Sequence, residues 1–119
     1  MEAAVTLGEK QRLFVRLVGK LIEWAYANGY ELTFGEAQRS VQQALANSKS
    51  GAGIKNSLHL IRLAVDLNLF IKGVYQADSE AYRPLGEYWK TLHPDCRWGG
   101  DFKSRPDGNH ISLTHNGVA

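Results

Sequence analysis

One cysteine, three prolines and no long apolar run set the first bounds on this chain of 119 residues. Cys96 has no second thiol to pair with, so no internal disulfide forms, and the sequence is compatible with a reducing compartment. No stretch approaches the roughly 20 apolar residues of a membrane-spanning helix, which argues against membrane insertion. The opening MEAAVTLGEKQR carries an acid at position 2 and lacks the apolar centre of a secretion signal, so a soluble, unprocessed chain is expected. An excess of charge is missing as well: 14 Lys and Arg against 12 Asp and Glu leave a net +2. The basic residues are spread along the sequence, which speaks against nucleic-acid binding. Repeats and low-complexity tracts are absent. What is present, 44% hydrophobic residues, suffices for one core, and a single domain over residues 1–119 is expected.

Thr6-Leu-Gly-Glu9 has the form of a capping box, and Leu7, Phe14, Leu17, Val18, Leu21, Ile22 and Ala25 follow at helical spacing until Asn28-Gly29. Tyr30 to Phe34 alternates as a half-buried strand does. A helix is expected around Ser40 to Ala46, then a small-residue loop at Asn47 to Gly53. Leu63 to Phe70 reads as a strand, with Lys72-Gly73 as a hairpin turn before Val74-Tyr75. Glu80 to Leu92 reads as a further helix, and Ile111 to Leu113 as a short terminal strand. Helices and antiparallel hairpins without regular βαβ alternation indicate an α+β fold.

The segment "SLHLIRLAVDLNLF", residues 57–70, poses the chemical question. Its aspartate sits in an aliphatic run, where a carboxylate needs a basic partner, backbone donors or a metal ion. In an extended strand Ala64, Asp66, Asn68 and Phe70 share one face and Val65, Leu67 and Leu69 the other, so Asp66 points away from the aliphatic side. His59 lies an odd number of positions from Asp66, so the two converge only if the chain bends between them. Asp107-Gly-Asn-His110 is a second polar group, on a tight turn that can present both flanking side chains to one side. Two histidines and a carboxylate would satisfy the three-ligand pattern of catalytic zinc, with Asp107 as the spare carboxylate that takes a proton from water. Spacing alone leaves the alternative open: Asp66 pairing with Arg39 or Arg62, His59 as a core histidine, Asp107 as an Asx-turn residue. His93 and His115 fall outside this pattern, and Cys96 reads as a partly buried small side chain.

Three segments, in order, resemble the zinc peptidases of peptidoglycan that include D-alanyl-D-alanine carboxypeptidases and phage L-alanyl-D-glutamate endopeptidases. "SLHLIRLAVDLNLF" resembles the family's zinc motif of a serine, a histidine two residues on, and an aspartate after six more. "FGEAQRSVQQA" resembles the upstream segment in which a glutamine lies four residues after an arginine, here Gln43 and Arg39. "RWGGDFKSRPDGNHISL" resembles the C-terminal segment in which Trp-Gly-Gly precedes a carboxylate three residues before the last zinc histidine. Gln38, Ser40 and Arg62 depart from the family's usual aromatic, threonine and glycine at those places.

The resemblance implies a Hedgehog/DD-peptidase-like fold, an antiparallel sheet with flanking helices and a zinc groove. It implies Zn2+ held by His59, Asp66 and His110, with Asp107 as general base and Arg39 stabilising the oxyanion. Gln43, Ser57 and Trp98 are then expected at the substrate, the last as a wall of the cleft. The implied activity is cleavage of the L-alanyl-D-glutamate bond in peptidoglycan stem peptides by a monomeric phage endolysin, held in the host cytoplasm until release. A D-alanyl-D-alanine carboxypeptidase and a non-catalytic zinc-containing wall-binding module are the alternatives.

Overall fold

A computed structural model of the chain describes residues 6–35, 61–103 and 106–115. The described elements are helix α1 (Leu7–Ala27), strands β1 (Tyr30–Phe34), β2 (Ala64–Ile71) and β3 (Val74–Tyr75), a 3-10 turn (Ser79–Tyr82), helix α2 (Arg83–Leu92), and strands β4 (Cys96–Trp98) and β5 (His110–Leu113). The helix expected around Ser40 to Ala46 and the loop Asn47 to Gly53 lie outside the described residues.

The capping box forms at the start of α1: Thr6 Oγ1 accepts from the Glu9 backbone N–H at 3.1 Å, and Glu9 Oε1 accepts from the Thr6 N–H at 3.3 Å. Thr6 hydrogen bonding holds the Glu9 carboxyl below its usual pKa. Phe14, Leu17, Val18, Leu21 and Ala25 form the buried stripe, while Leu7 is exposed and Ile22 only half-buried. Their spacing turns one face towards the sheet and α2, where the Phe14 ring meets Trp89 edge-on at 5.7 Å. The opposite face is basic along one ridge, with Arg12, Arg16 and Lys20 exposed at four-residue spacing, a local clustering the scattered sequence positions do not suggest.

The described strands form an antiparallel sheet in the order β1-β2-β5-β4, with β3 on β2 as well. β2 begins one residue later and ends one residue later than expected, and its alternation holds: Val65, Leu67 and Leu69 are buried, Asp66 and Asn68 half-buried. The hairpin to β3 turns through Lys72 and Gly73 at φ 51° and 78°, the two positive values a type I′ turn requires. The helix expected from Glu80 is split. Pro84 supplies no N–H and so belongs in a first turn, which places the α-helical start at Arg83 after a separate 3-10 turn.

Pairing on β2 leaves a gap. β5 pairs with Ala64 to Asp66, and β3 with Phe70 and Ile71, both opposite β1. Between them Leu67 N–H donates to the Asn109 carbonyl at 2.9 Å, and Leu69 N–H donates to the Tyr82 hydroxyl at 3.0 Å. Tyr82 in turn donates to the Gln76 carbonyl at 2.7 Å, and its burial pushes its pKa up, so the hydroxyl stays protonated. Side chains and a turn thus close the part of the edge that strands do not.

Candidate metal centre

Asp66 and His110 are direct partners in the β2–β5 ladder, which sends both side chains to the same face of the sheet. Asp66 Oδ1 stands 3.5 Å from His110 Nδ1. Asp107, three residues before His110 on the connecting turn, adds its carboxylate, and donor atoms of the three lie within 4.8 Å of one another. Asp66 is half-buried, His110 buried and Asp107 exposed, so the group grades from interior to solvent. The Phe102 ring backs the imidazole at 5.4 Å between centroids.

These donors fit zinc. Imidazole nitrogen and carboxylate oxygen are its usual non-thiolate ligands, and two such atoms on one tetrahedral ion stand roughly 3.3–3.6 Å apart, given bonds of about 2.0–2.2 Å. The 3.5 Å between Asp66 and His110 falls in that range. Before β2, Arg62 adopts a left-handed φ of 59°. This is the position at which the family resemblance implied glycine. His59, Arg39, Gln43 and Ser57 lie outside the described residues.

Trp98 is corrected. It was expected to wall the cleft, and it is instead an interior side chain, 1% exposed. Gly86 and Gly100 lie against its ring so closely that a Cβ at either place would overlap it, and the Arg83 guanidinium sits 5.1 Å from its centroid. Its indole N–H donates to the Gly108 carbonyl at 2.7 Å, so Trp98 acts on the site by holding the Asp107–His110 turn. The neighbouring Gly99 carbonyl accepts from the Asp107 N–H at 2.9 Å, and the Asp107 carbonyl accepts from the His110 N–H at 3.1 Å. Cys96 is buried in β4 and His93 Nδ1 accepts from the Asp95 N–H; neither belongs to the donor group.

Sequence reasoning missed two contributors to this turn. Asn109 Nδ2 donates to Asn68 Oδ1 at 3.1 Å, and Ser79 Oγ accepts from the Gly108 N–H at 3.0 Å. The partners are 41 and 29 residues apart, and nothing local in the sequence announces either contact. Beside the turn lies a polar hollow of about 210 Å³ with Tyr75, Ser79, Tyr82, Asp107, Gly108 and Asn109 in its lining. A larger apolar hollow of about 310 Å³, between α1 and the β1–β2 end of the sheet, is lined by Phe14, Val18, Phe34 and Val65 with Arg62, and none of the three donors reaches it.

Residues 50–113 match the family model described as D-alanyl-D-alanine carboxypeptidase. An L-alanyl-D-glutamate peptidase of a Listeria phage is 33% identical over 102 residues, covering 82% of this chain. The chain spans about a third of that relative's length, 36%. The fold matches the Serratia marcescens L-Ala D-Glu endopeptidase ChiX at a TM-score of 0.74 and 21% identity, covering 96% of this chain and 90% of that one. It also matches a mutant of the vancomycin-resistance D,D-pentapeptidase VanY solved with Zn(II), at a TM-score of 0.59 and 18% identity, over 84% of this chain and 70% of that one. VanYB in complex with D-Alanine-D-Alanine matches equally well, at 0.59 and 18%, over 86% and 70%.

Proposed function

The chain belongs to the D-alanyl-D-alanine carboxypeptidase family, and from that membership we propose that it is a zinc metallopeptidase cutting the L-alanyl-D-glutamate bond of peptidoglycan stem peptides. The observation that carries the reading is the meeting of Asp66, Asp107 and His110, drawn from a strand and a distant turn, within 4.8 Å. Asp66 and His110 would hold the ion together with His59. When bound, zinc supplies Lewis acidity at the scissile carbonyl and makes hydroxide available near neutral pH.

Asp107 is assigned as general base. It is the most exposed of the three donors and borders the polar hollow, where a peptide can approach. It takes a proton from the water that attacks the carbonyl, then returns it to the departing amine. Arg39 stabilises the oxyanion, and Gln43 and Ser57 line the substrate. No serine or cysteine nucleophile is required. Trp98 keeps a supporting role through the turn rather than a substrate contact.

The bond assignment is supported by the Listeria phage relative and by ChiX, both named for L-alanyl-D-glutamate cleavage. That phage relative also supports an endolysin role, in which a monomer waits in the host cytoplasm and then acts on the wall. No helix among the described residues is long and apolar enough to cross a membrane. A D,D-carboxypeptidase is the second reading, favoured by the description of the family model and by the VanYB complex.

Digestion of purified peptidoglycan with the zinc-loaded protein, followed by mass spectrometry of the new chain ends, tests the proposal. New D-glutamate amino termini are expected. Released D-alanine would replace the endopeptidase with the carboxypeptidase, and intact wall that co-sediments with the protein would leave only a binding module.

A further inference from the structure

We propose that Ser79 is a positioning residue for Asp107, fixing the Asp107–His110 turn through the Gly108 N–H. The inference rests on the assignment of Asp107 as base and adds a residue on which that base depends.

Gly108 is buried, and both of its backbone polar groups are held by side chains from other elements. Its N–H donates to Ser79 Oγ at 3.0 Å, and its carbonyl accepts from Trp98 Nε1 at 2.7 Å. The packing leaves no slack, since a Cβ at position 108 would stand 2.7 Å from Ser79 Cα and 2.9 Å from the Ser79 carbonyl oxygen. The backbones of the 3-10 turn and of the 107–110 turn are therefore in direct contact.

A serine at the start of a 3-10 turn ordinarily spends its hydroxyl on a local N–H. Here Asp78 does that work, its Oδ1 accepting from the Glu80 N–H at 3.1 Å. Ser79 Oγ is thereby left to reach a residue 29 positions away. Tyr82 anchors the same turn to β2, so Ser79 is presented from a rigid base.

Removal of the hydroxyl strips a part-buried N–H of its acceptor at the edge of the polar hollow, and the turn shifts towards the water there to recover a partner. Asp107 is next in the chain and already exposed, so it moves with the turn. His110 does not, because the ladder to Asp66 holds it. The base is displaced while the metal ligands stay in place, and small misplacements of a reacting group are costly in rate.

The test compares Ser79→Ala, Ser79→Thr and Asp107→Ala with the unmutated zinc-loaded protein on a soluble stem peptide, and measures zinc affinity by competition with a chelator. Ser79→Ala is expected to lower kcat about 10- to 100-fold. KM and zinc affinity stay within about twofold, and Ser79→Thr restores kcat. Unchanged kcat in Ser79→Ala overturns the proposal. So does a raised KM at full kcat, which would make Ser79 a substrate contact, or a parallel loss of zinc affinity, which would make it scaffold for the metal ligands. If Ser79→Ala does not fold, Ser79→Cys, similar in size with a poor acceptor, is held to the same criteria. Full turnover in Asp107→Ala would remove the base assignment itself, whereas loss of turnover there beside an unaffected Ser79→Ala removes only the role of Ser79.

Discussion

Asp66 and His110 face each other across two paired strands, with Oδ1 3.5 Å from Nδ1. Ladder hydrogen bonds rather than a loop hold that spacing, so the pair is ready for an ion before the ion arrives. Zinc that binds the folded chain alone must then stabilise it, by about 2.7 kcal/mol at 100 times its Kd. Thermal melts are expected to show the shift for the unmutated chain and for Asp107→Ala, and to lose it for Asp66→Ala and His110→Ala. Turnover in Asp107→Ala should fall by about 100-fold or more. A melt indifferent to zinc would remove the metal centre.

Cys96, 3% exposed in β4, has its thiol pushed from 9.0 up to about 12 by burial. The folded chain therefore keeps the proton that the unfolded chain releases, and stability falls as pH rises from about 9 towards 12. Denaturant midpoints measured across that window should decline, and Cys96→Ala should flatten the decline. The native thiol should also resist an aromatic disulfide reagent at pH 8 and react once the chain is unfolded. Rapid native reaction would show that the burial is not maintained in solution.

Arg62 occupies φ 59°, where a side chain with a Cβ is strained and glycine is not. Arg62→Gly and Arg62→Ala both delete the guanidinium, so their difference isolates the backbone. The glycine variant is expected to be the more stable of the two by about 1 kcal/mol in chemical denaturation. Equal stabilities would mean that the bend before β2 relaxes when the arginine is lost.

Ser112 is fully buried on β5, and its Oγ finds no hydrogen-bond partner among the described residues. A hydroxyl desolvated without compensation destabilises the fold, and deleting it leaves only a small void. Ser112→Ala is expected to be neutral or stabilising by up to about 1 kcal/mol. A loss larger than about 1 kcal/mol would reveal a partner for that oxygen.

Local pattern made a good part of this fold legible. The capping box fixed the start of α1, and period-two alternation placed Asp66 on the face opposite Val65, Leu67 and Leu69. Counting positions required a bend only if His59 converges with Asp66, and His59 lies outside the described residues; Arg62 just before β2 takes a φ of 59°. Partnerships between distant segments were less accessible. That Asp66 meets His110 follows from strand register, which only the family resemblance could suggest from the sequence. Trp98 was misread because a tryptophan beside two glycines fits a cleft wall and a packed core equally well, and only the ring's seat between Gly86 and Gly100 decides between them. Ser79 carried no signal, since Asp-Ser-Glu reads as an ordinary helix start and the hydroxyl's partner lies 29 residues on.

The edge of β2 that neither β5 nor β3 covers bears on how a substrate would be read. Leu67 and Leu69 already spend their amide protons on Asn109 and Tyr82, so an incoming peptide finds no free donors there with which to extend the sheet. On the proposed function, recognition beside the Asp107–His110 turn would fall to side chains such as those lining the polar hollow. Such a surface places no demand that the ligand continue a ladder of L-residues, and a peptide of mixed handedness, as the proposed cleavage between an L- and a D-amino acid requires, meets no penalty for failing to do so.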